Sequence, residues 1–406
     1  MKILIIGAGP AGLMCAAECS KNQNHQVFLL DSNEKVGKKL YITGKGRCNV
    51  CNRTTQEGFL NNVVSNSKFL FAAINNFSPE DAISFFESNG TKLKVERGNR
   101  VFPVSDKASD ISKTFLNVLN KNNVKIVLNT KVKSIQKIGE TFKVLTNKLS
   151  YDCDVVVVAT GGRSYSVTGS KGDGYRFAKE LGHNIVDIKS GLVPINLSDY
   201  DGSLAGLSLK NVAINIKIGK KNYNQFGEML FTHKGISGPI VLTLSSLINR
   251  FDLTNQEISI DLKPALTEEK LEERLLRDFK EAKTKILKNY LKELLPSSLI
   301  DFFISKGKLD PNIPVCNINK ETRKVVLSLL KDFRFKIESL EDIEYAIVTS
   351  GGVNVKEINP KTMESKILNN LFFVGEVLDL DAFTGGFNIQ IALSTGFTAG
   401  LAIRNL

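Results

Sequence analysis

Cysteine is scarce in this sequence, with six residues among 406, at positions 15, 19, 48, 51, 153 and 316. Six scattered cysteines are too few for a disulfide scaffold, so we expect reduced thiols. Long apolar runs are also missing, because none approaches the roughly 18 residues that a membrane-spanning helix needs. The sequence therefore predicts a soluble, cytoplasmic protein that does not act in a membrane.

The charge balance is basic but diffuse. Lys and Arg number 54 against 42 Asp and Glu, which gives a formal net charge of +12. Such an excess favours anionic partners, for example nucleotides, acidic metabolites or RNA. No polybasic run forms a dedicated arm, so the charge permits an RNA partner without requiring one.

The first 31 residues have the pattern of a strand, a glycine turn, a helix and a second strand. KILII predicts a buried parallel strand, AGLMCAAECSKN a helix, and QVFLLD a strand that ends on Asp31. Gly7, Gly9 and Gly12 form a G-x-G-x-x-G motif between strand and helix. Such glycines permit a tight turn, approach to a pyrophosphate and close packing, while the following acid accepts ribose hydroxyls. We predict dinucleotide binding here.

The remaining pattern predicts a discontinuous nucleotide-binding domain. VKIVLN and FKVLT resemble paired strands, and CDVVVVATGG a core strand. Short alternating strands from about residue 191 are followed by apolar residues at helical spacing: Leu271, Leu275, Phe279, Ile286, Tyr290 and Leu294. Strand and glycine-turn patterns return near residue 345. We therefore expect a first part at 1–190, an inserted domain of strands and helices at 191–340, and a closing part at 341–406.

The glycine-rich strand ends favour FAD over NAD as the dinucleotide. A simple NAD enzyme needs no second glycine cluster, whereas ATGG at 159–162 and GEVLD at 375–379 both follow apolar strands. A late strand that ends in Gly and an acid, as at Gly375 and Glu376, is typical of flavoproteins with the two-dinucleotide-binding fold. No second G-x-G-x-x-G motif follows. We therefore expect either that NAD(P)H binds transiently or that another reductase supplies the electrons.

Six motifs together resemble one flavoprotein family: TGKGRCNVCN, RVFPVSDKASD, ATGGRSY, GSKGDGYRFAKELGH, LFTHKGISGP and GEVLDLDAFTGGFNIQIALSTGFTAG. This family includes aminoacetone oxidase-like proteins, 3-dehydro-bile acid reductase-like proteins and a class of ribosomal RNA dihydrouridine synthases. The resemblance covers nearly the whole chain. It implies an α/β fold in which a Rossmann-like FAD-binding domain is interrupted by an inserted domain. It does not imply one substrate, because the members act on different ones.

The resemblance also implies a set of cofactor-binding residues. Those for the ADP half of FAD are Gly7, Gly9, Ala11, Gly12, Asp31 and Ser32, with a backbone contact from Val132 to adenine. Those near the flavin are Lys39, Gly44, Arg47, Cys48, Asn49, Thr160, Gly161, Gly162, Gly375, Glu376, Asp379, Gly385, Gly386, Phe387 and Asn388.

The C-x-x-C of Cys48 and Cys51 has several interpretations. It can be a redox dithiol next to the flavin, half of a zinc site, or one thiol that acts as an acid or a packing residue near the flavin. Zinc would need two more ligands, and no other C-x-x-C or close His pair offers them, so we expect no metal. The related family more often has Thr at the position of Cys51, which argues against a role for both thiols.

We expect an FAD-dependent oxidoreductase that reduces a carbon–carbon double bond by adding hydride to one carbon and a proton to the other. Cys48 is the first candidate acid, followed by Tyr165 and His233. The charge and the RVFPVSDKASD motif favour uridine in ribosomal RNA as the substrate. A small enone, or oxidation of a small amine such as aminoacetone, remains an alternative. A second class of function is an RNA- or protein-binding protein in which FAD has no catalytic role.

Overall fold

The computed structural model describes residues 1–282 and 284–406, and it divides the chain into two compact units. The first unit joins Met1–Gly191 to Asp342–Leu406, and the second is Leu192–Glu341. The first unit is therefore discontinuous in sequence. The TGG turn at residues 384–386 and the final helix, both at the far end of the chain, belong to the same unit as the N-terminal glycine motif.

The elements of the first unit up to residue 191 are β1 Lys2–Ile6, α1 Pro10–Cys19, β2 Gln26–Leu30, β3 Cys51–Asn52, α2 Gln56–Leu60, α3 Phe71–Asn76, α4 Pro79–Ser88, β4 Leu93–Glu96, β5 Arg100–Pro103, α5 Ala108–Lys121, β6 Lys125–Val127, β7 Val132–Ile138, β8 Thr141–Thr146, β9 Ser150–Cys153, β10 Val155–Val158, α6 Asp173–Glu180 and β11 Ile185–Gly191. The second unit contains β12 Ile195–Leu197, β13 Ser208–Ile218, β14 Lys221–Phe231, β15 Gly235–Ser237, α7 Pro239–Ile248, β16 Glu257–Asp261, α8 Glu268–Glu281, α9 Leu287–Tyr290, α10 Ser297–Gly307, α11 Lys320–Lys331 and β17 Phe333–Leu340. The first unit closes with β18 Val348–Val353, β19 Leu371–Phe373 and α12 Phe387–Arg404.

A parallel sheet of order β19-β10-β1-β2-β6 forms the centre of the first unit. Its inner strands are almost wholly apolar, as in Val155–Val158, because both faces of the sheet are covered. All five strands point the same way, so the residues after their carboxyl ends meet along one edge. Together with the inserted unit, this sheet confirms the predicted Rossmann-like α/β fold class.

One predicted strand pairing is wrong. VKIVLN and FKVLT do not pair, because β6 joins the main sheet beside β2, whereas β8 pairs with β7 and β9. The segment between them contains its own hairpin partner, β7, which reverses into β8 through Gly139 at a φ of +57°. A short loop of this kind makes β7 the antiparallel neighbour of β8, and β9 occupies the other edge of β8.

Helices α1 and α12 pack closely through small residues. A Cβ on Gly396 would lie 2.3 Å from the carbonyl oxygen of Ala11, and one on Gly400 would lie 2.8 Å from that of Cys15. Both pairs advance in the same direction, so the two helices are parallel. Helix α12 begins nine residues before Gly396, so its N-terminus lies about 13 Å beyond the level of Ala11.

The second unit contains a closed barrel of order β12-β15-β14-β13-β16-β17. In the sequence, α7 lies between β15 and β16, and α8 to α11 lie between β16 and β17. The run of apolar residues at helical spacing forms several elements rather than one helix. Leu271, Leu275 and Phe279 are buried on α8, whereas Ile286 lies just before the short α9 and Leu294 follows a turn of 3-10 helix. Within the described parts of the chain, no helix is long and apolar enough to cross a membrane.

Candidate functional site

The glycine turn after β1 leaves one open space. A Cβ on Gly7, whose φ is +109°, would lie 2.3 Å from the carbonyl oxygen of Ala159, and one on Gly12 would lie 1.9 Å from that of Gly7. The lack of a side chain at these two glycines therefore allows β1, β10 and α1 to pack closely against one another. A Cβ on Gly9 would meet no atom within 4 Å. The space beside Gly9 faces the first N–H groups of α1, which attract an anion such as a pyrophosphate.

The carboxylate of Asp31 fixes this turn. The N–H of Ala8 donates to Oδ2 of Asp31 at 2.7 Å, and the N–H and side-chain amide of Asn33 donate to Oδ1 at 2.8 and 2.9 Å. The N–H of Thr130, two residues before Val132 and β7, donates to the carbonyl oxygen of Asp31. Asp31, the exposed Ser32 and the start of β7 thus lie at one side of the glycine turn. Their contacts with a ribose and an adenine stay predictions.

A second helix N-terminus lies farther along the same side of the unit. Gly385 and Gly386 have φ values of +122° and +100° and lead into Phe387, the first residue of α12. The Asn388 side chain accepts a hydrogen bond from the N–H of Ala382 and donates to its carbonyl oxygen, which closes the loop before the helix. The first N–H groups of α12 have no partner within the helix. They can bind a carbonyl or anionic edge of a ligand about 13 Å from the turn beside Gly9.

Lys39 and Glu376 form an ion pair that joins distant segments. Lys39 Nζ lies 2.7 Å from Oε2 of Glu376 and donates to Oγ of Ser164 at 2.7 Å. Oε1 of Glu376 accepts hydrogen bonds from the Ser164 hydroxyl at 3.0 Å and from the N–H of Thr349 at 2.9 Å. A Cβ on Gly162 would collide with the Thr349 side chain. This cluster, Lys39–Ser164–Thr349–Glu376, fixes the loops that follow β10 and β19 at the edge of the sheet.

The charge of Glu376 is maintained by its partners. Burial acts to raise the pKa of this carboxyl, but the charge and hydrogen bond of Lys39, with hydrogen bonds from Thr349 and Ser164, outweigh it and lower the pKa. Glu376 is therefore ionised at neutral pH. Its pairing stabilises the fold above the ordinary pKa range of glutamate, and this contribution is lost as the pH falls through the lowered pKa.

Replacing Lys39 by Met should therefore destabilise the protein at neutral pH. The change leaves the carboxylate of Glu376 without its cation, and we expect the free energy of unfolding to fall by about 2 kcal/mol at pH 7. The difference from the wild type should shrink at a second, acidic pH below the lowered pKa of this carboxyl, where Glu376 is protonated in both proteins. Urea unfolding at the two pH values measures it. Lys38→Met, which removes the exposed Lys38–Glu34 pair, is the control and should cost less than about 0.5 kcal/mol.

The segment Cys48–Asn52 packs against the start of α12. A Cβ on Gly386 would lie 2.5 Å from backbone atoms of Cys51, and Nδ2 of Asn52 donates to the carbonyl oxygen of Gly385 at 3.1 Å. Asn49 is buried, and its Oδ1 accepts from the N–H of Val101. The structure therefore brings the C-x-x-C segment to the TGG turn. Gly44, four residues before Cys48, adopts a left-handed conformation, and a Cβ there would lie 2.9 Å from the backbone nitrogen of Asn49 and 3.0 Å from the Phe102 ring.

The structure does not support Cys48 as the proton donor. Its side chain has 0% exposed surface, so the thiol is enclosed by protein atoms and has no opening to solvent. Burial raises the pKa of the Cys48 thiol to about 12, and burial raises that of Cys51 to about 12 as well. Such thiols form little thiolate at neutral pH, and both cysteines are free. A packing role fits Cys48 best.

Replacement of Cys51 by Thr should leave activity within about threefold of the wild type, because the Cys51 thiol serves packing. Its Sγ lies 3.8 Å from the carbonyl oxygen of Pro79, toward α4, and a threonine hydroxyl can donate to the same oxygen. Steady-state kinetics and flavin content of the purified variant provide the measurement. A loss of more than a hundredfold with normal flavin content would restore the redox-dithiol interpretation.

Arg47 is occupied by protein partners. Its NH1 lies 2.8 Å from Oε1 of Glu96 and 3.3 Å from Oδ1 of Asp106, and its guanidinium carbon lies 4.0 Å from the centre of the Phe102 ring. The hydrogen bond from Arg47 lowers the pKa of Glu96, which keeps that partner ionised. Arg47 therefore links β4 to the segment that follows β5, and its contact with a flavin stays a prediction.

The other predicted residues lie in two places. Tyr165 is half-buried directly after Ser164, in a left-handed conformation with a φ of +52° that is uncommon for a residue with a side chain. Thr160, Gly161 and Gly162 form the turn after β10, where a Cβ on Gly161 would meet the Ser170 hydroxyl at 2.9 Å. His233 belongs to the second unit, where it is exposed between β14 and β15.

Two further predicted residues lie in the loop that follows β19. Gly375, with a φ of +77°, approaches α1 so closely that a Cβ there would lie 2.8 Å from the Cβ of Ala11. Asp379 is buried, and its Oδ2 accepts from Nδ2 of Asn66 at 2.9 Å. Both residues therefore connect the loop after β19 to its surroundings.

Several residues at this edge were missed from the sequence. Ser164 and Thr349 complete the cluster around Glu376, and Asn52 connects the C-x-x-C segment to the TGG turn. The only available signal was position, since Ser164 follows the ATGG turn and Asn52 lies in the quoted RCNVCN motif. A small polar residue in a loop does not by itself indicate its distant partner.

This fold and this set of donors define the protein as an FAD-binding flavoprotein of the Rossmann class. The space beside Gly9 is open enough for a pyrophosphate, and a dinucleotide bound there would extend toward the N-terminus of α12, about 13 Å away. Gly7, Gly9, Asp31 and the N-terminus of α12 would hold the cofactor.

The chain belongs to the family described as HI0933-like protein Rossmann domain, whose model matches residues 1–402. It is 32% identical over 408 residues to a protein of Haemophilus influenzae named ribosomal RNA dihydrouridine synthase, covering 98% of each chain. It is 26% identical over 405 residues to the 3-dehydro-bile acid delta(4,6)-reductase of Clostridium scindens, covering 99% of this chain and 98% of the relative. A 3-ketosteroid delta1-dehydrogenase from Sterolibacterium denitrificans has the same fold, with a TM-score of 0.52, 11% identity and 99% of each chain covered.

These findings establish the protein as an FAD-dependent oxidoreductase. The predicted family and enzyme class are confirmed, and the interpretation of FAD as a non-catalytic component is wrong.

Proposed function

We propose that this protein reduces the C5–C6 double bond of a uridine in ribosomal RNA and so forms dihydrouridine. The observation that carries the proposal is the 32% identity to the Haemophilus influenzae ribosomal RNA dihydrouridine synthase along 98% of both chains. The net charge of +12 is consistent with a polyanionic substrate. A ribosomal RNA substrate would place the protein in the cytoplasm.

The reaction adds a hydride to C6, the carbon β to the C4 carbonyl, and a proton to C5. Bound FAD, reduced by transiently bound NAD(P)H, would supply the hydride. The remaining tasks belong to the protein. The turns that follow β1, β10 and β19, together with the N-terminus of α12, would hold the cofactor along the carboxyl end of the sheet.

Tyr165 is our proposed proton donor to C5. It is half-buried and follows Ser164, whose hydroxyl is fixed by Lys39 and Glu376. An uncommon left-handed backbone at a tyrosine needs surrounding structure to maintain it, and such conformations concentrate at functional sites. His233 of the second unit is the alternative donor. Cys48 contributes packing below the loop that carries Gly44 and Arg47.

The proposal is tested with the purified protein, FAD, NADPH and a ribosomal RNA fragment. Nucleosides from the digested product should include dihydrouridine, two hydrogens heavier than uridine, and only when protein and NADPH are both present. A reaction without RNA measures whether NADPH alone reduces the bound cofactor under anaerobic conditions. If the cofactor is reduced but no uridine is converted in any ribosomal RNA fragment, the proposed substrate is wrong.

The similarity to the Clostridium scindens reductase supports a second candidate, the reduction of a small unsaturated carbonyl compound. The two candidates are separated by offering an unsaturated ketosteroid in place of RNA. Turnover of the ketosteroid with no conversion of uridine favours the second candidate.

A further inference from the structure

The hairpin of β4 and β5 forms a basic wall beside the TGG turn. It pairs with β3 in a three-stranded sheet of order β3-β5-β4. Nδ2 of Asn52 on β3 donates to the carbonyl oxygen of Gly98 in the hairpin turn at 2.9 Å and to that of Gly385 at 3.1 Å. One amide group therefore connects the hairpin turn to the residues that precede α12.

Arg100 lies on the same face of this sheet as Asn52. The two residues are direct cross-strand partners, as are Arg100 and Glu96. Directly opposed residues project their side chains to the same face. The opposite face carries Cys51 and Val101, which are both fully buried. Arg100 therefore projects from the polar face, at the end of the site that contains the N-terminus of α12.

The other charges on this wall compensate one another. Arg47 pairs with Glu96 and Asp106, and Lys94 Nζ lies 2.6 Å from Oδ2 of Asp106 and 3.7 Å from Oε1 of Glu96. The hydrogen bond from Lys94 is the main cause that lowers the pKa of Asp106. Burial acts against it, and the hydrogen bond from Arg47 lowers the pKa further. Two cations thus face two carboxylates that stay ionised at neutral pH.

Arg100 has no such compensation. It is exposed, its Nε donates to the carbonyl oxygen of Arg97 at 3.0 Å, and its guanidinium carbon lies 5.8 Å from the centre of the Phe102 ring. Arg97, in the same turn, is exposed as well. Among residues 1–282 and 284–406, no ion pair involves either arginine. The terminal nitrogens of Arg100 are therefore available to an anion at the α12 end of the site.

We propose that Arg100, with Arg97 beside it, binds a phosphodiester group of the RNA next to the uridine that is reduced. This inference rests on the proposed function. A guanidinium presents a planar pair of donors that matches two phosphate oxygens, and its contact with a phosphate releases a counterion from the RNA. A neutral small substrate offers no group of this kind. The wall therefore positions the RNA backbone while the cofactor site receives the base.

The experiment measures binding of a fluorescein-labelled ribosomal RNA hairpin to the flavin-containing protein over a series of salt concentrations. Arg100→Gln should weaken binding about fivefold to tenfold at low salt, and the slope of log K against log salt should decrease in magnitude by about 0.9. Arg100→Lys keeps the charge and should keep the slope. Because Arg100 is exposed, all variants should retain the wild-type flavin content and melting temperature.

The matched control is Lys121→Gln. Lys121 is exposed at the end of α5, about 20 Å along that helix from Ala108, which follows Asp106 by two residues. Lys121→Gln lowers the net charge by one, as Arg100→Gln does, but it should leave the slope of log K against log salt unchanged. If Arg100→Gln and Lys121→Gln behave alike while the wild type forms dihydrouridine, the role of Arg100 is wrong and the proposed function stands. If the wild type converts no uridine, both proposals fail.

Discussion

Gly9→Val should abolish FAD binding without unfolding the protein. The backbone at Gly9 has a φ of −77° and a ψ of −179°, which valine adopts readily, and a Cβ there meets no protein atom within 4 Å. The valine side chain would instead occupy the space in which we expect the pyrophosphate. We expect the affinity for FAD to fall at least about a hundredfold, which corresponds to about 2.7 kcal/mol.

The flavin-free protein separates this effect from misfolding. Replacing a glycine N-cap by valine costs about 1 kcal/mol at most, so unfolding of the flavin-free variant should remain close to that of the wild type. Titration with FAD, followed by quenching of flavin fluorescence, measures affinity. Gly9→Ala should show an intermediate loss. Wild-type affinity in Gly9→Val would mean that the dinucleotide does not pass beside this glycine.

Tyr165→Phe should lower kcat by about a hundredfold to a thousandfold, which is the usual contribution of a positioned proton donor. Phenylalanine keeps the ring and tolerates the same backbone, so flavin content should not change. Reduction of the cofactor by NAD(P)H needs no proton transfer to uridine and should keep its rate. Stopped-flow measurement of the two half-reactions should place the defect in the RNA-dependent one alone.

Three variants test the specificity of this result. Tyr345→Phe changes an exposed tyrosine of the same unit and should leave both half-reactions unaltered. Cys48→Ala should cost stability through the cavity it creates and have little effect on the RNA-dependent step. If His233→Ala or Cys48→Ala causes the loss and Tyr165→Phe does not, the proton donor has been assigned to the wrong residue.

The parts of the fold that the sequence predicted correctly are those with local signals. The glycine turn before α1, the buried run Val155–Val158 and the final helix each follow from residues within a few positions of one another. The pairing of strands was harder to predict from the sequence. Strands β2 and β6 are neighbours in the sheet but far apart in the chain, and no sequence pattern indicates that they pair. Strand β8 pairs with β7, to which the turn at Gly139 connects it.

Side-chain contacts in the site were also hard to predict when they join residues far apart in the sequence. The glycines and Asp31 were predicted because their chemistry is tied to a short motif, whereas the Lys39–Glu376 pair joins residues 337 positions apart. The redox and acid interpretations of Cys48 depended on access, and burial is a property of the folded chain that a C-x-x-C motif does not reveal. Arg47 was likewise expected to face the flavin, while its two carboxylate partners lie on β4 and just beyond β5.

The proposed reaction is tested by comparing ribosomal RNA from cells that have this gene, cells that lack it, and cells that express only the Gly9→Val variant. Mass spectrometry of digested RNA and primer-extension mapping locate dihydrouridine. We predict a modified uridine in ribosomal RNA that is lost on deletion, returns with the wild-type gene, and does not return with Gly9→Val. Unchanged dihydrouridine in the deletion strain would contradict the proposed substrate.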